Sequence, residues 1–141
     1  MRHLPVWFAA LWWGSLTTLG FFVVPMLFAH LPTPAMAGNM AAKLFSTQTY
    51  VCAACGLLIL LTFGSKRALV PENTAQSATL FVVTGVLLAL LVEFGVAPRI
   101  VARENLAVWH GLGSAMYLMQ WLCAAVVFWK LTNATKATKT D

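Results

Sequence analysis

Residues 21–31 read FFVVPMLFAHL, a proline and then a histidine set into an apolar run that extends over residues 6–31. The run is long enough to cross a bilayer, whose hydrocarbon core of about 30 Å takes roughly 20 apolar residues of helix. Proline lacks a backbone N–H and crowds the preceding turn of a helix. The stretch is therefore either a damaged anchor or a span that ends at a corner, where the missing N–H costs little because neighbouring groups re-satisfy the backbone. The remainder of the chain favours the corner.

Three further apolar runs follow, over residues 50–63, 79–96 and 109–131. With 141 residues, 60% hydrophobic and 9% charged, the composition is far from a soluble globular mix, and four spans use most of the chain. The second run is short, but in LPTPAMAGNMAAKLF (residues 31–45) Thr33 can cap a helix with Pro34 at its first position. That helix is expected to follow the interface through Met36, Met40 and Leu44 and to enter the membrane near Thr47. GSKRALVPENTAQS (residues 64–77) reads as a polar turn between two hairpins. AMAG (residues 35–38) has the spacing of a signal-peptidase site, but the apolar run before it exceeds an h-region of about 7–15 residues, so an uncleaved span is expected. The predicted fold is all-α: a polytopic membrane protein of four transmembrane helices in two helical hairpins, one domain over residues 1–131, with a disordered cytoplasmic tail over residues 132–141.

The net charge of +5 is carried by loops and tails and forms no cationic face, which argues against nucleic acid. With four spans, Arg2, Lys66, Arg67, Lys130, Lys136 and Lys139 share one side, and Lys43, Arg99 and Arg103 the other. The positive-inside rule then predicts that the N and C termini are cytoplasmic. Trp7, Trp109 and Trp129 suit interfacial belts, whereas Trp12, Trp13 and Trp121 lie too deep for that explanation. FFVVPML (residues 21–27) and FGVAPRI (residues 94–100) share Phe, Val, Pro and a branched aliphatic residue at matching positions, each closing an outward span, as in a repeated hairpin.

Ionisable and polar residues inside spans are costly to leave unpaired in lipid. Glu93 falls near the outer end of the third span, in one layer with His30, Lys43, Arg99, Arg103 and His110. On the fourth span His110, Ser114, Tyr117 and Trp121, with Gln120 beside them, follow a helical stripe. The bland reading pairs Glu93 with Arg99, Arg103 or Lys43 and makes His110 interhelical glue; the sharper one has His110 and His30 ligating haem or a transition metal. Cys52 and Cys55 form C-x-x-C on a helix, and with Cys123 they can bind a soft metal, although small residues there equally suit close helix packing. No phosphate loop, nucleophile elbow or metalloprotease motif is present.

WWGSLTTLGFFVVPMLFAHLPTPAMAGNMAAKLF (residues 12–45), VAPRIVAR (residues 96–103) and WHGLGSAMYLMQ (residues 109–120) resemble the bacterial domain of unknown function 4149, the transmembrane-protein-205-like family. The resemblance covers about residues 7–125 and rests on a Trp-x-Gly stretch, Pro25, Phe28, Ala37-Gly38, Phe45, Pro98-Arg99 and His110 with Ser114. It implies a four-span architecture without an assigned activity. The pattern is also distantly similar to the copper-resistance CopD and haem-holding HemJ-type membrane proteins, which implies a haem-bearing oxidoreductase as one alternative; Cys52, Cys55 and Cys123 themselves suggest a thiol-based metal transporter as another. The leading expectation is a bacterial inner-membrane protein of non-enzymatic or unknown biochemical role that handles a small solute or metal or partners another membrane protein or a second copy of itself. Its expected polar cluster comprises Pro25, Phe28, Gly38, Phe45, Glu93, Pro98, Arg99, Ser114 and Tyr117.

Overall fold

The computed structural model describes residues 3–64 and 70–137. It is all-helical, with no strand among the described residues, and its four long helices are each apolar enough to cross a membrane: Leu4–His30, Pro34–Phe63, Glu72–Val101 and Leu106–Lys136. At 1.5 Å per residue even the shortest exceeds the hydrocarbon thickness. The first helix packs on the second and the fourth, and the third packs on the same two, so the bundle is a ring in chain order. Arg2, Lys66, Arg67 and Lys139, which weigh in the expected orientation, lie outside the described residues.

Pro25 and Pro98 do not end their spans, contrary to expectation. Each helix runs through its proline, to His30 and to Val101. A five-residue π turn immediately precedes each proline, Leu19–Val23 in the first helix and Val92–Val96 in the third. The Val24 N–H reaches back to the Leu19 carbonyl and the Ala97 N–H to the Val92 carbonyl. A widened turn lets the ladder absorb a ring that has no N–H to give.

The two halves keep one register. Leu19 to Val92, Val23 to Val96 and Pro25 to Pro98 are the same displacement along the chain, and the returning helices Pro34–Phe63 and Leu106–Ala137 begin and end within about one residue of it. The echo between FFVVPML and FGVAPRI thus has a matching structural echo: a hairpin repeated with parallel orientation.

Thr33 caps the second helix as expected, its hydroxyl accepting from the Met36 N–H at 3.2 Å with Pro34 next in line. The helix is one continuous element of 30 residues, with no separate interfacial segment. Gly38 is the lone glycine in its first turns and no internal proline follows, so nothing breaks the ladder. The fourth helix continues to Ala137, which makes residues 132–137 helical where a disordered tail is expected; the hydroxyls of Thr132 and Thr135 bond back to the carbonyls of Phe128 and Leu131. Between the third and fourth helices, Arg103 takes a left-handed conformation (φ 56°), while the Arg103 N–H bonds to Ile100 and the Glu104 N–H to Arg99, a Schellman closure.

The bundle is apolar outside and mixed inside. Leu11, Phe22, Met26, Leu57, Leu61, Leu80, Leu87, Leu91 and Phe94 face outward, while the interior holds Ala9, Ala41, Ala78, Ala89 and Ala124. Small residues admit close helix approach where lipid supplies no hydrophobic drive. The central filler is Trp12, fully buried, which reaches across to the third helix. A Cβ on Gly85 would stand 2.8 Å from its ring, and a Cβ on Gly56 would run into the Val86 side chain. Gly85→Ala is therefore expected to destabilise the bundle by about 1–3 kcal/mol through overpacking. Gly14→Ala, with open space at its Cβ, should be neutral or stabilising by up to about 1 kcal/mol. Thermal unfolding of both variants in mild detergent checks the contrast.

Candidate functional site

The outer layer read from the sequence does not converge. His30 is exposed, its Nδ1 3.0 Å from the Met26 carbonyl, and His110, Ser114, Phe28, Pro25 and Pro98 are exposed as well. Gly38 is half-buried with open space at its Cβ. Arg99 lies over the Trp109 ring at 4.3 Å and donates to the Gly95 carbonyl. Among the described residues the partner of Glu93 is Ser46 on the second helix, whose hydroxyl donates to its Oε1 at 2.7 Å, rather than Arg99, Arg103 or Lys43.

What does converge is a polar centre at mid-height, built from Ser15 of the first helix, Gln48 and Cys52 of the second, and Gln120 of the fourth. The Ser15 hydroxyl donates to the Trp12 carbonyl at 2.9 Å, so toward Gln48 it accepts, from Nε2 at 2.8 Å. The Cys52 sulfur receives Nε2 of Gln120 at 2.9 Å and Nε2 of Gln48 at 3.5 Å. The indole N–H of Trp12 is buried and has no hydrogen-bond partner among the described residues. Gln48 and Gln120 are 8% and 3% exposed, and both border a cavity of about 10 Å³ whose other walls are Phe45, Thr49, Ala89, Val92 and Tyr117. Gln48 carries no sequence signal beyond being an amide in a strongly apolar helix; that signal is usable only once the second helix is known to be continuous.

Beside this centre Tyr117 enters the backbone of the first helix. Its hydroxyl donates to the Leu16 carbonyl at 2.7 Å and lies close to Gly20; the same carbonyl also accepts the Leu19 N–H. The π turn begins three residues after this carbonyl, at Leu19. Gly20 is required by the approach: a Cβ there would lie 2.5 Å from the tyrosine ring. Phe45 closes the other side edge-on, its centroid 5.2 Å from that of Tyr117. Trp13 and Trp121, too deep for an interfacial belt, fill the seam between the first and fourth helices; Trp13 stacks on Phe128, and Trp121 donates to Thr17 at 2.9 Å.

The model of the domain of unknown function DUF4149 matches residues 7–107. The chain belongs to this family. No curated protein and no solved structure matches it. The DUF4149 match spans the first three helices and stops at the start of the fourth, so Gln48, Cys52 and Glu93 fall inside it, whereas Tyr117, Gln120 and Cys123 lie beyond it.

In this DUF4149 chain Cys52, Cys55 and Cys123 are free and buried. Cys52 and Cys55 belong to the apolar core, and Cys123 packs near Gly85. Among the described residues no three His, Cys, Asp or Glu side chains come together in a metal-holding group. The Tyr117–Gly20 fit predicts strong coupling. Gly20→Ala should destabilise the wild type, yet cost less in a Tyr117→Ala background, with a coupling energy of about 0.5–3 kcal/mol. Additive costs in detergent unfolding would contradict the wedge.

Proposed function

We propose that this DUF4149 member is a multi-pass protein of the bacterial inner membrane, with cytoplasmic termini, that handles a small polar solute at the centre of its bundle and carries out no covalent chemistry. The observation that supports the reading is the pair of buried amides, Gln48 and Gln120, bordering one cavity at mid-height. A bundle held by packing alone needs no such groups there, and burying an amide without full hydrogen bonding costs about 1–3 kcal/mol on protein mutational data. The paired π turns add support, since π bulges within α-helices are frequent at functional sites. The cytoplasmic placement of the termini draws on the excess of Lys and Arg on that side.

Soft-metal handling by Cys52, Cys55 and Cys123 draws less support, because the Cys52 sulfur is already engaged by two amides. Haem ligation by His30 and His110 draws less as well, since both imidazoles stand on the outside of the bundle. The test is flux. Purified protein in liposomes should equilibrate at least one small polar solute, from a panel running from water to glycerol and monovalent cations, faster than protein-free vesicles. The gain should vanish in a Gln48→Leu/Gln120→Leu variant of unchanged helix content. Equal rates across the whole panel would contradict the proposal.

A further inference from the structure

The amide geometry narrows the guest that the proposed site would take. Ser15 has spent its proton on the Trp12 carbonyl, which fixes the Gln48 NH₂ group on the Ser15 side and sends its oxygen the other way. Among the described residues neither the Gln48 nor the Gln120 carboxamide oxygen meets a donor. Thr49, whose hydroxyl proton goes to the Phe45 carbonyl, adds a third acceptor to the same cavity wall. The remaining walls are Ala89, Val92 and the two aromatic rings, Phe45 and Tyr117. The cavity thus presents three acceptor oxygens, with one donor left over beside them, the second N–H of Gln120.

We propose that Gln48, Thr49 and Gln120 form a binding site for one neutral, single-heavy-atom hydrogen-bond donor, water or ammonia. An anion is disfavoured because three acceptor oxygens would face it and no positive charge lines the cavity. A bare cation is disfavoured because no carboxylate lines the cavity, and charge at mid-membrane is costly without a counter-charge. Size sets the remaining limit: a volume of about 10 Å³ is the room of a single water. Two N–H or O–H bonds from one guest complete both amide oxygens. This deepens the small-solute reading by naming the guest.

The experiment is water-edited solid-state NMR of the full chain in lipid bilayers, with the side-chain amides of Gln48 and Gln120 labelled. Magnetisation should pass from water to both amides, as it does to residues at the membrane surface, and transfer to Gln120 should fall strongly in Gln48→Leu and Thr49→Val. Repeating the measurement with ¹⁵N-ammonium chloride at alkaline pH separates the sources. A direct ¹⁵N contact replacing the water signal assigns ammonia, and an unchanged water signal assigns water. No transfer to either amide, or transfer indifferent to both substitutions, overturns the site. Failure of the handling reading is distinguishable: a hydrated pair of amides in a protein that passes no solute would leave the site and remove the transport.

Discussion

Within a bilayer, a backbone or side-chain polar group must find its partner inside the protein, and the Tyr117 hydroxyl on the Leu16 carbonyl shows how this bundle meets that demand. The first helix cannot keep a regular ladder up to Pro25. Instead of breaking, it widens to a π turn, and the fourth helix adds a hydroxyl to the carbonyl of Leu16, just before that turn. Gly20 makes room for the ring, Phe45 closes on it, and Gln48 and Gln120 lie one turn away around the cavity. Packing and polar pairing are therefore one arrangement, with Trp12 filling the axis beneath it.

The repeat explains why a second such place exists and why the two differ. The position displaced equally from Gly20 is Glu93, also inside a π turn. In the first half a glycine faces the large Tyr117 of the fourth helix; in the second a glutamate faces the small Ser46 of the second helix. The partners are not equivalent in register: the position displaced equally from Ser46 is Met119, two residues beyond Tyr117. The two halves thus share a backbone solution to an embedded proline and have filled it with different chemistry, which leaves the polar centre asymmetric about the bundle axis.

Span number, the Thr33 cap and the Pro25–Pro98 echo were legible in the sequence because hydropathy, capping and proline spacing are local properties. Continuation through both prolines was not, since it depends on a π turn braced by a neighbouring helix. The stripe of His110, Ser114, Tyr117 and Trp121 divides in the structure. His110 and Ser114 are exposed in the opening turns of the fourth helix, and Tyr117 and Trp121 turn inward. Helical spacing gives a shared face but not how far the neighbouring helices cover it. Gln48 was overlooked because it precedes the apolar run of residues 50–63 and looks like a membrane edge until the second helix proves continuous from Pro34.

The central claim is that the Tyr117 hydroxyl, bonded to the Leu16 carbonyl, steadies the π turn of the first helix. Residue-resolved amide hydrogen exchange in bilayers, comparing the wild type with Tyr117→Phe, tests it directly. Exchange at residues 20–24 should accelerate roughly two- to tenfold, the factor implied by about 0.5–1.5 kcal/mol for one hydrogen bond, while the third helix stays protected. Unchanged protection at those amides, or an equal loss along all four helices, would contradict it.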